Sequence, residues 1–489
     1  MIASIVIGFI SRKIFLENLG AEFVGLISSA LSIILFISFT EMGLQQAILT
    51  SLYKPFHEKN EKKIESLVVF MKVAYKYVAI AVITMATIVA IIFSDQINAS
   101  GITNSTVIIV FYSLLVSTLV DFLFNYKQVL FIADQKQYKV FRLTQSVTIL
   151  TIIIQCLLVL NYKSYFCWVI PQIVSPFIKA FLVTKKTRQE YGFINFSSEK
   201  SIITLAKEAR GEIKKIKKLS IHRLSGLVTE NADNIYYLYF AGVSGVAAVG
   251  NYKILFSQVL VLLNTINNSI APSVGNVIAS GVKYKIEQVF WTLYAIRSII
   301  ASIVVVCFFC ITQPFVNWWL GADFIMPVDF LILLIINTSL IIHRITINEY
   351  ILGYSIFDDI KSPMLEIVLN VLLSLSLGSM LGINGVLLGI VITNFLIGFC
   401  WKPYYLCKCG IGIPFDAFII KVVVIIIPHC LVYWCCLYYI PINQDVDIMS
   451  GFLNAIIYST AMLICNLIII LFLVPELRSF MLEKIKDKR

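Results

Sequence analysis

The chain has 489 residues, of which 59% are hydrophobic and only 14% charged, and its mean hydropathy is +0.88. Soluble domains sit near half apolar and a quarter charged, so a large water-soluble domain is excluded. A net charge of +11 would suit a nucleic-acid binder, but the basic residues are distributed as loops of a membrane protein, as shown below.

A membrane span needs roughly 20 apolar residues. Fourteen segments qualify in chain order: Met1–Leu16, Val24–Gln45, Val73–Phe93, Ser105–Phe124, Leu143–Leu160, Tyr165–Thr184, Leu219–Phe240, Val246–Ile270, Val289–Phe309, Val328–Asn348, Pro363–Leu381, Asn384–Cys400, Ala417–Tyr439 and Phe452–Val474. The runs are continuous rather than alternating, which predicts helices and not a strand barrel. The expected fold class is all-α and polytopic. The first segment is short for a span, and Arg12-Lys13 follows it where a signal peptide would need a cleavage site. It is expected to be a true span completed by residues upstream.

Lysine and arginine crowd the loops that follow even-numbered spans. The opposite loops hold only Arg12, Lys13 and Lys163. By the positive-inside rule both termini are expected in the cytoplasm, and the basic surplus is topological, facing anionic headgroups. Nucleic acid is not an expected partner.

Lys185 to Lys218 is the longest polar stretch, and within it Ser201 to Lys218 has the composition of a basic surface helix. It separates six spans from eight. IFLENLGAEFVGLISSALSI, at the first turn, is matched by NIYYLYFAGVSGVAAVGNYKI, at the seventh. Each has an apolar helix end, a glycine turn and a new helix of small residues. Repeated halves are the usual build of secondary transporters. The expected divisions are therefore a six-helix lobe over 1–184, a basic linker over 185–218, a second six-helix lobe over 219–400, and two further helices with a basic tail over 401–489. Gly378, Gly382, Gly385 and Gly389 mark a close helix–helix approach.

Motifs of known chemistry are missing. There is no P-loop, no GxSxG and no HExxH; the HEKNE at His57 has Glu61 where the second histidine belongs. Cys307 and Cys310 form a CxxC without a second pair, so they read as packing residues. Asp445-Val446-Asp447 resembles a sugar-nucleotide DxD but falls in an expected outside loop. No enzymatic activity and no metal site are expected.

Charge inside a span is costly and persists where it meets a cavity or a partner. The candidates are Glu41, Asp121, Glu230, Asp233, Lys253, Arg297 and Arg344, with Arg12 joining them if the first span is longer. Lys76, Lys179, Arg223, Glu366 and Lys421 lie near cytoplasmic ends and read as snorkelling anchors. Glu230, Asp233 and Tyr237 share one helix face, with Asn234 beside it. That stripe must face water, a ligand or an internal ion pair.

HRLSGLVTENADNIYYLYFAGVSGVAAVGNYKIL resembles the seventh and eighth spans of polysaccharide repeat-unit flippases (Wzx-type, of O-antigen, capsule and exopolysaccharide assembly). The matching positions are His222, Gly226, Asp233, Asn234, Ile235, Val249, Gly250 and Tyr252. FLENLGAEFVGL, SFTEMGLQQAI and SLYKP resemble the first two spans and the next loop, and WWLGADF, LEIVLNVLLS, GINGVLLG and WKPYYL continue the likeness along the chain. Lys253 and Ser225 depart from the family pattern.

The resemblance implies the multidrug/oligosaccharidyl-lipid/polysaccharide exporter superfamily: two lobes around a cavity, alternating access in the bacterial plasma membrane, and an undecaprenyl-diphosphate-linked oligosaccharide as substrate. Arg12, Glu41, Glu230, Asp233, Asn234, Tyr237, Lys253, Arg297 and Arg344 become the candidate cavity residues. Cations would hold the diphosphate. A polysaccharide polymerase and a chain-length regulator are candidate partners, and a monomer is expected. No cofactor is expected beyond a coupling proton or sodium ion. The competing readings are a drug/cation antiporter of the same superfamily and an outer-face glycosyltransferase or polymerase. The longest expected outside loop, Cys310 to Pro327, is short for the latter.

Overall fold

In the computed structural model, the described residues are 2–92, 103–194, 210–354, 356, 359, 361–439, 448–473, 475–476 and 478–479. Every regular element among them is helical. This is the all-α, polytopic architecture expected from the apolar runs. Each of the fourteen expected spans falls on a helix. Of the expected basic surface helix, residues 201–209 lie outside the described residues, as do Asp445 and Asp447.

The α-helices of six residues or more among the described residues are, in chain order, α1 (Ile2–Leu19), α2 (Ala21–Ile37), α3 (Phe39–His57), α4 (Glu61–Ile92), α5 (Asn104–Asn125), α6 (Gln128–Ala133), α7 (Gln137–Tyr162), α8 (Tyr165–Glu190), α9 (Arg210–Ala279), α10 (Lys283–Leu320), α11 (Val328–Gly353), α12 (Lys361–Phe395), α13 (Phe415–Tyr439) and α14 (Ile448–Leu473). Eight helical stretches among the described residues are long and apolar enough to cross a membrane. The expected second span is broken at Ser38, so α2 and α3 share it.

The glycine turns have a definite physical basis. Gly20, between α1 and α2, has φ 88 and ψ 159. Gly242, which divides α9 into two limbs, has φ 66 and ψ −172. This corner of backbone space is open essentially to glycine alone. The two stretches that look alike in sequence thus make the same turn with the same residue. The glycine run at 378–389 also does what its spacing predicts. Gly382 breaks α12, and a Cβ on Gly389 would lie 2.6 Å from the Ser374 nitrogen, so the two limbs approach backbone to backbone.

The chain divides into two compact units, Met1–Ala247 and Ala248–Arg489. In the first, α8 packs along α5 and α7, and α1 along α7. The first limb of α9 joins it: Asn234 Nδ2 donates to Ser32 Oγ of α2 at 2.8 Å. In the second, α10 is the central helix, packed on α11, α13 and α14. Its core is aromatic: Phe290 meets Tyr350 edge to face, Phe290 and Trp291 lie tilted against Phe418, and Tyr294 stacks on Phe290. Such ring pairs add stabilisation beyond the area they bury. After α12 the helix widens into π turns at Leu396–Trp401 and Cys407–Ile411, a distortion that tends to accompany functional sites.

Candidate functional site

In the first unit two members of the polar stripe of α9, Asp233 and Tyr237, are buried. Asp233 is 7% exposed and Tyr237 1%. The Asp233 carboxylate accepts the backbone N–H of Asn234 at 2.8 Å and lies within electrostatic reach of the Tyr236 and Tyr237 phenols. Asn234 is anchored through Ser32, as above. Arg12, placed at the ragged end of the first span by sequence, lies inside α1 and donates from Nη2 to the Ala247 carbonyl at 3.2 Å. The first unit therefore holds Asp233, Asn234 and Tyr237 together on the first limb of α9, with Arg12 bonded to the second limb at Ala247. Glu41 and Glu230 lie on α3 and α9, but their side chains are outside the described residues. Asp121 is on an exposed face of α5, within electrostatic reach of Lys179 on α8.

The second unit holds two buried charge networks on its apolar helices. Arg297 on α10 donates to Glu349 Oε2 at 2.7 Å, to Thr346 Oγ1 at 2.7 Å and to Asn267 Oδ1 at 3.0 Å. Thr346 and Glu349 stand three residues apart on α11, so both face α10. The Arg297 and Glu349 side chains are 6% and 9% exposed. Sequence reasoning missed Glu349 because it follows the last residue assigned to the tenth span. The structure carries α11 on to Gly353, which places Glu349 inside the helix.

The second network centres on Glu366. Its side chain is 2% exposed and pairs with Arg344 Nη1 at 2.8 Å and with Lys402 Nζ at 3.5 Å. The reading of Glu366 as a snorkelling anchor is corrected: a buried carboxylate that receives two cations is a network hub, not an interfacial tether. Arg344 also donates to Asn394 Oδ1 at 3.3 Å, and Asn394 donates to Asn337 at 2.8 Å. The π turn places Gly398 against the Arg344 stem, where a Cβ would sit 3.2 Å from Cδ, and it leads directly into Lys402. Lys253 is half-buried on the second limb of α9. The Lys421 ammonium lies over the Trp291 ring, 4.5 Å from its centre, and pairs with Glu476, so its charge is engaged twice.

Arg344 and Lys402 meet the Glu366 carboxylate, and Asp359 is a second carboxylate within electrostatic reach of Lys402, so the charges of this network balance, while the Asp233 neighbourhood offers a carboxylate, an amide and phenols. An anion could bind the first set only by exchanging with its carboxylates; the second suits hydroxyls or a small cation. Among the described residues, no group of three or more His, Cys, Asp or Glu side chains could hold a metal ion.

No protein-family model matches the chain, and no curated protein matches it in sequence. Solved structures do match. The chain is similar to a lipid II flippase, MurJ, in an inward closed conformation, with a TM-score of 0.62 at 16% identity, over 94% of this chain and 97% of that one. It is also similar to an inward-facing multidrug resistance MATE family transporter of the MOP superfamily, with a TM-score of 0.56 at 15% identity over 82% of this chain and 94% of that one. A MATE structure in a bent conformation gives 0.55 at 13% identity, over 83% and 93%. The chain has the fold of these membrane transporters. At such identities the likeness speaks for architecture, and function has to be argued from the sites.

Proposed function

We propose that this protein flips an undecaprenyl-diphosphate-linked oligosaccharide repeat unit across the bacterial plasma membrane by alternating access, for assembly of a surface polysaccharide. The observation that carries this reading is the extent of the structural match. The MATE transporters are matched over 93% and 94% of their own length but leave nearly a fifth of this chain uncovered. The MurJ match is nearly complete in both directions, and that protein is a flippase of a lipid-linked substrate.

The site chemistry supports the same reading. A sugar-diphosphate headgroup cannot cross hydrocarbon unaided. Arginine binds diphosphate with a fork of donors, and Arg297, Arg344 and Lys402 are cations held on the apolar helices of the second unit. Asp233, Asn234 and Tyr237 are groups of the kind that meet sugar hydroxyls. Asp233 is also where a coupling proton or sodium ion would bind. The basic loops place both termini in the cytoplasm in this proposal, and no chemical step is assigned to the chain.

Deletion of the gene in its native bacterium tests the proposal. Loss of surface polysaccharide, with repeat units accumulating on undecaprenyl diphosphate in the inner leaflet, is expected. Unchanged polysaccharide together with a new sensitivity to cationic drugs overturns it in favour of the antiporter.

A further inference from the structure

A cavity of about 720 Å³ opens in the first unit where the ends of α5 and α8 meet. It lies at the end of these helices that carries basic residues. Lys127, Lys185 and Arg188 line it together with Thr184, and no carboxylate is among its lining residues. Lys127 is 9% exposed, and its ammonium is fixed by donating to Thr184 Oγ1 at 2.8 Å. Phe124, Phe177 and Phe181 make up most of the remaining wall, with Ala180 and Gln189. Phe177 and Phe181 are 49% and 67% exposed on a helix long and apolar enough to cross the membrane.

Three cations at one end and exposed phenylalanines at the other match a head and a tail. We propose that this cavity binds a phosphate-bearing membrane lipid, with Lys127, Lys185 and Arg188 on the headgroup phosphate and Phe177 and Phe181 along the upper acyl chain. A volume of this size fits a drug-sized ligand, far larger than a bare phosphate ion, and a soluble anion would make no use of the aromatic wall. The cations also repel one another. Lys127 is held down to about 8, first by burial and then by the charges of Arg188 and Lys72, and an anion in the cavity would relieve that repulsion. Phosphate contacts from lysine and arginine are charge-assisted and short, and each basic group near the headgroups strengthens the hold on an anionic lipid.

The cavity shares no lining residue with the two buried networks or with the Asp233 stripe, so its fate does not follow that of the transport reading. The test is native mass spectrometry of the full-length protein in detergent, titrated with phosphatidylglycerol, with diacylglycerol as the phosphate-free lipid, and with inorganic phosphate as competitor. Retained phosphatidylglycerol adducts, no diacylglycerol adducts, and no displacement by equimolar inorganic phosphate are expected. Lys185→Gln and Arg188→Gln should each weaken phosphatidylglycerol binding about fivefold, and Phe181→Ala should weaken it as well. These three positions are exposed, so the variants fold even if Lys127→Met does not. Unchanged binding in the Lys185→Gln, Arg188→Gln double variant overturns the site. Displacement by equimolar inorganic phosphate overturns the lipid as its occupant.

Discussion

Arg297 and Glu349 meet at 2.7 Å across α10 and α11, both nearly buried. Breaking such a pair strands a charge, whereas replacing both members with apolar residues of similar size is often neutral. Arg297→Ala should therefore cost about 3–5 kcal/mol of folding stability and lower the membrane level of the protein. Arg297→Met with Glu349→Leu should restore that level. If the pair serves substrate movement as well as folding, the restored double variant will still fail to deliver surface polysaccharide. Full delivery by that variant would assign the pair to structure alone. Membrane level by immunoblot, read beside polysaccharide by gel, separates the two.

The Glu366 network makes an asymmetric prediction. Glu366→Gln leaves Arg344 and Lys402 facing each other without their shared carboxylate, whereas Lys402→Met leaves the 2.8 Å pair with Arg344 intact. The first substitution should lower the thermal unfolding temperature in detergent far more than the second. Equal shifts would show that Lys402 carries as much of the network as Arg344.

Asp233→Asn tests the stripe without disturbing its shape. The side-chain oxygen can still accept the Asn234 N–H that now reaches it at 2.8 Å, so the turn is kept and only the charge is lost. Normal membrane level with reduced surface polysaccharide is expected. Full polysaccharide at normal level would remove Asp233 from the transport path.

How much of this was legible beforehand depends on the range of the signal. Helices are written locally, in apolar runs of the right length, and the runs lie on helices, although α9 and α12 each join two runs and the short α6 lies outside them all. The turns at Gly20 and Gly242 were equally local, because a glycine between an apolar helix end and small residues is a conformational requirement. Pairing was not legible. Glu349 lies 52 positions from Arg297, and no periodicity links them. Glu366 looked interfacial because it sits near a span end, and only its burial between Arg344 and Lys402 shows otherwise. The cationic cavity escaped notice for the same reason: Lys127 and Arg188 belong to different basic stretches, and each alone resembles ordinary positive-inside decoration.

Gly25 marks the closest approach of α2 to α9. A Cβ there would lie 1.9 Å from the Val243 carbonyl oxygen, a backbone atom that cannot rotate away. Overpacking typically costs 1–3 kcal/mol where side chains can yield, and here the helices themselves must separate. Gly25→Ala should therefore abolish or strongly reduce the folded fraction in detergent. Gly8→Ala, with nothing within 4 Å of the added atom, should be neutral or slightly stabilising. Comparable behaviour of the two variants in size-exclusion chromatography would contradict the close packing at Gly25.

Lys127 gives a pH dependence with a definite sign. Its ammonium is held down to about 8, from an ordinary 10.5, by burial and then by Arg188 and Lys72. Between those values the unfolded chain keeps the proton that the folded chain has released, so stability rises with pH. Below about 8 the full penalty of a buried, repelled charge applies, and above 10.5 it has vanished. The step is at most about 3 kcal/mol. Lys127→Met removes the titrating group, so the unfolding temperatures of wild type and variant should differ most near pH 7 and converge towards pH 10. Measuring that difference cancels the other lysines and tyrosines, which titrate in both proteins. A constant gap from pH 7 to pH 10 would show that Lys127 keeps its proton throughout and that its neighbours do not press on it.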